Sequence, residues 1–272
     1  MTIPWLRRNF RARRWLDRLF LDIPDLAIRA TLGRRHWPPY SLRSFVGGAQ
    51  RFDEVGNWYL GEFQALGLFQ PGTRVLDIGC GCGRVAYALA TDPALRELGV
   101  TYTGMDIDRA SITWCRRKIA PLNPHFDFYQ ADCYNPTYNP HGPILAASYQ
   151  FPHGDASFQL ILLTSLLTHL LEADLCHYLS EVSRLLSPGG IAYATFFLFD
   201  DGQEAAAGFE RHGIRFPFPR GHCAVNREDF PTNAVAYQEA FVRRAAEEVG
   251  LRVIEPTRYG VQDVLLLERI FE

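Results

Sequence analysis

Several things are scarce in this 272-residue chain. No apolar run reaches the about 20 residues that a bilayer-spanning helix needs. The N-terminus also lacks the continuous apolar core of a signal peptide. Neither sign of charge is in surplus: 28 Lys and Arg stand against 30 Asp and Glu, a net −2. The global field therefore makes no case for a nucleic-acid partner. The six cysteines (Cys80, Cys82, Cys115, Cys133, Cys176, Cys223) are scattered through apolar segments. They read as small buried residues in a reducing cytosol rather than a disulfide framework, so a cytoplasmic location is expected. Cys80 and Cys82 form a C-x-C pair, but no second Cys/His pair has a spacing that would complete a zinc site.

What is present is an ordinary globular composition, 47% hydrophobic and 21% charged, with enough residues for a full core. Strand signals fall at Arg74–Ile78, Thr101–Asp106, Phe126–Gln130, Phe158–Leu163 and Ile191–Phe197. Helical periodicity follows to about Thr91, through Ile112, Trp114, Cys115 and Ile119, and from Glu172 to Leu186, stopped by Ser187-Pro-Gly-Gly190. A helix is expected over Tyr237–Val249. Strands at Leu251–Glu255 and Val261–Leu267, joined tightly by Arg258-Tyr-Gly260, predict an antiparallel C-terminal hairpin. Alternating strands and helices predict an α/β fold, a Rossmann-like doubly wound sheet of seven strands. Residues 1–70 are expected as a helical extension, with Ser41–Gly48 a loop and Phe52–Leu68 a helix. Residues 71–272 form the main domain, with an irregular insertion at 198–235 acting as a lid.

The chain is organised around Arg74-Val-Leu-Asp-Ile-Gly-Cys-Gly-Cys-Gly-Arg84. An apolar strand runs into a turn with glycine at every second position, then into a helix. Glycine reaches dihedrals closed to other residues and lets a ligand lie on the main chain. The helix N-terminus adds free N–H groups and a positive dipole end. Gly79, Gly81 and Gly83 give G-x-G-x-G, whereas dinucleotide enzymes carry G-x-G-x-x-G. Asp77 sits two residues before the first glycine, where an acid suits a ligand that carries a cation.

This D-x-G-x-G-x-G stretch resembles motif I of the class I S-adenosylmethionine (SAM)-dependent methyltransferases. Asp106, at the end of the second strand, is placed to accept from both ribose hydroxyls. Asp132, at the end of the third, is placed to accept from the adenine amino group, with Ala131 and Cys133 lining the ring. The expected cofactor set is Asp77, Gly79, Cys80, Gly81, Gly83, Asp106, Ile107, Ala131, Asp132, Cys133 and Thr164. The resemblance extends through Tyr102–Ile107, Ala131–Asn135, Leu163–Leu170 and Tyr178–Leu186 to class I enzymes associated with glycan or small-molecule tailoring. It implies SAM as cofactor and a small-molecule acceptor such as a sugar or metabolite.

His169 lies seven residues past Leu162 in the buried fourth strand, at the edge that faces the SAM methyl in this fold, and is the expected catalytic base. The alternative is a histidine bonded to a backbone carbonyl. No Asp or Glu occurs from Ala156 to Leu171, where metal-dependent relatives place their ligands, so no metal is expected. The lid carries Phe209, Arg211, His212, Arg215, Phe216, Phe218, Arg220 and His222, suited to hold an acceptor or else to anchor a surface loop. Arg7, Arg8, Arg11, Arg13, Arg14 and Arg18 interleave with apolar residues near the N-terminus. That helix either covers the cofactor or makes peripheral contact with an anionic membrane. The function expected is metal-independent O-methylation. Small-amine N-methylation and a SAM-binding accessory protein without catalysis are the alternatives.

Overall fold

The structure is a computed structural model that describes residues 10–44, 49–136, 138–200 and 208–270. It contains β1 (Arg74–Ile78), β2 (Thr101–Asp106), β3 (Phe126–Gln130), β4 (Phe158–Leu163) and β5 (Leu186–Phe196). After these come β6 (Leu198–Phe199), β7 (Phe209–Arg211), β8 (Ile214–Phe216), β9 (Phe218–Arg220), β10 (Cys223–Val225) and β11 (Val235–Gln238). The chain closes with β12 (Leu251–Arg258) and β13 (Asp263–Arg269). Seven strands form one sheet in the order β12-β13-β5-β4-β1-β2-β3. The pairs β1/β4, β4/β5 and β2/β3 are parallel; β5/β13 and β13/β12 are antiparallel, the expected C-terminal hairpin. The chain divides into two compact units, Met1–Gly72 with Cys80–Ile144 and Thr73–Gly79 with Leu145–Glu272.

In the second unit, β4 is apolar apart from Gln159, and Leu160–Leu163 are all buried. The helix Glu172–Leu185 buries Leu175, Tyr178, Leu179, Val182 and Leu185, one stripe at helical spacing. That helix ends before Ser187-Pro-Gly-Gly190, as expected, but the stretch itself is not a loop. It is absorbed into β5 as a bulge: Phe158 faces Leu186, but Leu160 already faces Ile191.

Among the described residues the insertion is not irregular. β6, β11, β10 and β9 form a four-stranded sheet, and β7 and β8 form a hairpin. Phe197, Phe199, Phe209, Phe216, Ala224, Ala234 and Ala236 are its core. Its strands have only two to four residues, too short for a period-2 pattern to stand out in sequence. The helix expected from Tyr237 begins at Glu239, because Val235–Gln238 pairs as β11.

In the first unit, Gly104 on β2 pairs with Phe128 on β3, and a Cβ at Gly104 would meet that ring at 2.7 Å. Gly56 lets the helix Phe52–Ala65 approach the Arg84 carbonyl, 2.4 Å from where its Cβ would stand. Residues Tyr40–Arg43 form a helical turn where a loop was expected; residues 45–48 of that loop lie outside the described residues.

The helices Phe10–Phe20 and Asp22–Thr31 are inverted relative to ordinary amphipathic helices. They turn charge inward. Buried Asp25 accepts from Arg29 Nε at 2.7 Å and from Arg43, while Arg29 also donates to the Trp37 carbonyl. Asp22 accepts from the Ser41 N–H at 2.9 Å and from Ser41 Oγ at 2.7 Å. A buried ion network adds little over an apolar core, but removing one member leaves uncompensated charge. Asp25→Ala is therefore expected to lower unfolding stability by about 3–5 kcal/mol, read from the shift in denaturant midpoint at constant slope.

Candidate functional site

The glycine turn needs glycine for backbone reasons: Gly79, Gly81 and Gly83 have φ of 83°, 55° and 81°. Gly83 is constrained twice, since a Cβ would stand 2.2 Å from Ile119 Cδ1 and 2.9 Å from Cys115 Sγ. The turn is tied to β2 by hydrogen bonds. The Cys80 N–H donates to the Met105 carbonyl at 3.0 Å. The Gly81 N–H donates to Asp106 Oδ2 at 2.8 Å, and the Asp108 N–H to Asp106 Oδ1 at 2.7 Å. The Ala131 N–H donates to the Asp106 carbonyl at 3.0 Å.

Burial pushes the Asp106 carboxyl up to about 6; the N–H groups of Asp108 and Gly81 oppose that shift and the Asp108 charge adds to it. Asp108 lies on the other side of its ordinary value. Burial pushes it up, but bonds from Arg14 at 2.6 and 2.8 Å and from Ser111 outweigh the burial and hold it low. Asp108 is also the N-cap of the helix Arg109–Lys118, accepting from the Ser111 N–H at 3.0 Å.

Beside these groups, within the first unit, lies a cavity of about 650 Å³. Ile107, Asp108, Gln130, Asp132, Tyr138, Asn139 and His141 line it, with Arg14, Trp15 and Arg18 from the N-terminal helix. Asp132 accepts from Asn139 Nδ2 at 3.1 Å; the same amide donates to the Cys133 carbonyl at 3.0 Å. Of the residues expected to bind cofactor, Gly81, Asp106, Ile107, Ala131, Asp132 and Cys133 are thus gathered around the ends of β2 and β3. Asp108, Tyr138 and Asn139 were not foreseen there; Arg14 was expected only as part of a helix that covers the cofactor or meets a membrane. Asp108 was legible as a helix cap after Asp106; Arg14, 94 residues away, had no local signal.

Cys80 and Gly83 also lie in the first unit, whereas Asp77, Gly79, Thr164 and His169 belong to the second. Asp77 is buried on β1, in register with Leu162. Gly79 lies against Leu166, 3.2 Å from where a Cβ would stand. Thr164 is buried at the end of β4. Ser165, next in line, has a left-handed φ of 57°; its N–H donates to Thr195 Oγ1 at 2.7 Å and its hydroxyl bonds the Gln262 amide oxygen at 2.9 Å. His169 has a solvent-facing edge, and its Nδ1 lies 3.0 Å from the Thr232 carbonyl. A carbonyl only accepts, so Nδ1 carries the hydrogen and Nε2 keeps its lone pair. Crowding by protein atoms pulls the imidazole pKa below its ordinary value, against the opposing effect of the Thr232 and Asn233 backbone.

Several lid residues expected at an acceptor are structural. Phe209 and Phe216 are core, Arg211 bonds the buried Asp263 at 3.0 Å, and Arg215 pairs with Glu210. His212 bonds the Gly260 carbonyl and His222 stacks on Phe241. Among the described residues, no group of three or more His, Cys, Asp or Glu is arranged to hold a metal ion.

Residues 75–190 match the methyltransferase-domain family. The chain is 28% identical over 143 residues to 27-O-demethylrifamycin SV methyltransferase of Amycolatopsis mediterranei, covering 52% of this chain and 45% of that protein. It is 32% identical over 136 residues to fatty-acid O-methyltransferase of Mycolicibacterium smegmatis, covering 48% and 38%. The chain thus spans less than half the length of these curated relatives. In fold it matches a SAM-dependent methyltransferase from Methanosarcina mazei with a TM-score of 0.51 at 22% identity, covering 77% of this chain and 98% of that one. The chain carries a class I SAM-dependent methyltransferase domain, and the cofactor of that class is S-adenosylmethionine.

Proposed function

We propose that this chain transfers the methyl group of SAM to a small-molecule acceptor, and that the accepting atom is a hydroxyl oxygen. The observation that carries the cofactor reading is the Asp106 carboxylate, held by the Gly81 and Asp108 N–H groups at the rim of a glycine turn. SAM supplies an already activated methyl on a sulfonium, so the protein's work is mainly alignment. The residues fit that group. The turn offers bare backbone at Gly79, Gly81 and Gly83, and the neighbouring cavity of about 650 Å³ is of ligand size. Asp106 would hold the ribose hydroxyls and Asp132, oriented by Asn139, the adenine amino group. Ile107, Ala131 and Cys133 would flank the ring, with Cys80 in the turn beside them; Asp77 and Thr164 are further cofactor residues that the resemblance implies.

A hydroxyl is a poor nucleophile at neutral pH and gains from a base. His169 supports that chemistry because its bond to Thr232 leaves Nε2 unprotonated and its lowered pKa keeps it neutral at pH 7. Two relatives whose names specify O-methylation support an oxygen acceptor. The insertion 198–235 would bound the acceptor side, with exposed Phe218 and Arg220 free of its core.

Three outcomes test this reading. Calorimetric affinity for S-adenosylhomocysteine should be level above neutral pH and fall as pH drops through about 6, where Asp106 gains a proton. Asp106→Asn should bind weakly and without that pH dependence; a wild-type affinity in the variant refutes the ribose assignment. With any accepted hydroxyl substrate, His169→Ala should cut kcat by about 10²–10⁴-fold while homocysteine-adduct binding persists. The variant should also lose the acidic limb of the pH profile, which lies below the ordinary histidine pKa. Near-normal turnover, or an amine as the better acceptor with no dependence on His169, sinks the hydroxyl reading. Finally, turnover should survive EDTA; loss on chelation restored by magnesium would show that a metal takes part.

A further inference from the structure

The inverted N-terminal hairpin has an outward face that the methyltransferase reading leaves unused. Its acids are consumed inside: Asp25 by Arg29 and Arg43, Asp22 by Ser41, and buried Asp17 by Ser44. What it shows to solvent is apolar. Phe20 is 63% exposed and Ile23 75%, and Leu26, Ile28 and Leu32 are each more than half exposed; Trp15, 62% exposed, borders the cavity instead. Scattered exposed apolar residues are normal, but this many on two successive short helices mark an interaction surface.

The charge around this face selects the partner. Residues 10–35 hold seven arginines and three aspartates, in a chain whose net charge is −2. Since the three aspartates face inward, the exposed charge there is cationic: Arg13 and Arg35 are exposed, as is Arg18 at the rim of the cavity. Apolar and aromatic side chains bordered by arginine, with no exposed acid, match an anionic lipid surface, where the apolar groups enter the acyl boundary and the guanidinium groups meet phosphate. A second protein copy would bring the same cationic charge to the contact and repel it. The helices have 11 and 10 residues, about 16 and 15 Å long at 1.5 Å per residue. That is about half of a 30 Å hydrocarbon core, so they would lie in the interface rather than cross it. Among the described residues no helix is long and apolar enough to cross a membrane.

We infer that the helices Phe10–Phe20 and Asp22–Thr31 are an interfacial docking element for an anionic membrane surface, fastened to the domain by the Asp25–Arg29–Arg43 network. This face is separate from the transfer chemistry, so its test needs no acceptor. The full chain is sedimented with phosphatidylcholine vesicles, with or without added phosphatidylglycerol. Binding should be about tenfold stronger with the anionic lipid. It should weaken as salt rises from about 0.1 to about 1 M. The triple variant Phe20→Ser/Ile23→Ser/Leu26→Ser should bind about a hundredfold more weakly. Its circular dichroism and S-adenosylhomocysteine affinity should match wild type, since these side chains are exposed and do not line the cavity. Three results overturn the proposal: wild type remaining in the supernatant, equal binding to neutral vesicles, or undiminished binding by the folded triple variant. Light scattering that finds a dimer dissolved by the triple variant also overturns it, in favour of an interface between copies.

Discussion

The glycine-turn end of this domain depends on one carboxylate. Asp106 takes the Gly81 N–H on one oxygen and the Asp108 N–H on the other, while its backbone carbonyl takes the Ala131 N–H. Three separate backbone stretches are thereby fixed to the end of β2: the glycine turn, the start of the next helix and the segment after β3. Loss of the carboxylate would take this partner from the Gly81 and Asp108 N–H groups, at about 1–3 kcal/mol for each donor left unsatisfied. Holding a carboxylate in so dry a place has a cost, visible in a pKa raised to about 6. The folded state therefore favours the protonated form more than the unfolded chain does. The stabilising contribution of that protonation is full below the ordinary carboxylate range and is lost as pH rises through about 6.

Asp108 works in the opposite direction, and the pair explains why the N-terminal extension belongs to the site. Arg14 holds Asp108 ionised through two bonds, and Asp108 in turn caps the following helix. The arginine thus neutralises one of two neighbouring acids and eases the ionisation of the other. An extension that reads in sequence as a basic amphipathic helix becomes an electrostatic counterweight beside the cavity. Its arginines divide the work: Arg14 and Arg29 face inward to acids, and Arg13 and Arg18 face solvent.

What could be read from the residues, and what could not, follows from the range of the interactions. The turn at Gly79–Gly83, the strand ends at Asp106 and Asp132, and the C-terminal hairpin were legible because each is set by neighbours within a few positions. Their dihedral and patterning demands are local. The orientation of the first two helices was not legible, because it rests on Asp25 meeting Arg43 and Arg14 meeting Asp108, contacts that no periodicity encodes. Periodicity alone would have turned Trp15, Ile23 and Leu26 inward. The insertion failed for another reason. Its strands are two to four residues long, too short for a period-2 pattern to stand out, while its core joins Phe197, Phe209 and Phe216 across intervening turns.

That insertion also bears on the chemistry. His169 is oriented by the Thr232 carbonyl, and Thr232 lies in the 3₁₀ turn Pro231–Asn233 within the insertion. The turn is itself held by the Asn226 side-chain carbonyl accepting from Asn233 Nδ2, and by the Asn226 N–H bonded to the Ala234 carbonyl beside β10. The tautomer of the proposed base is therefore set by the segment proposed to bound the acceptor, rather than by the main sheet. Rebuilding that segment to suit a different acceptor would move the carbonyl that aims Nε2. Acceptor shape and base alignment are in this way one structural variable, and a change in the insertion should alter kcat together with KM.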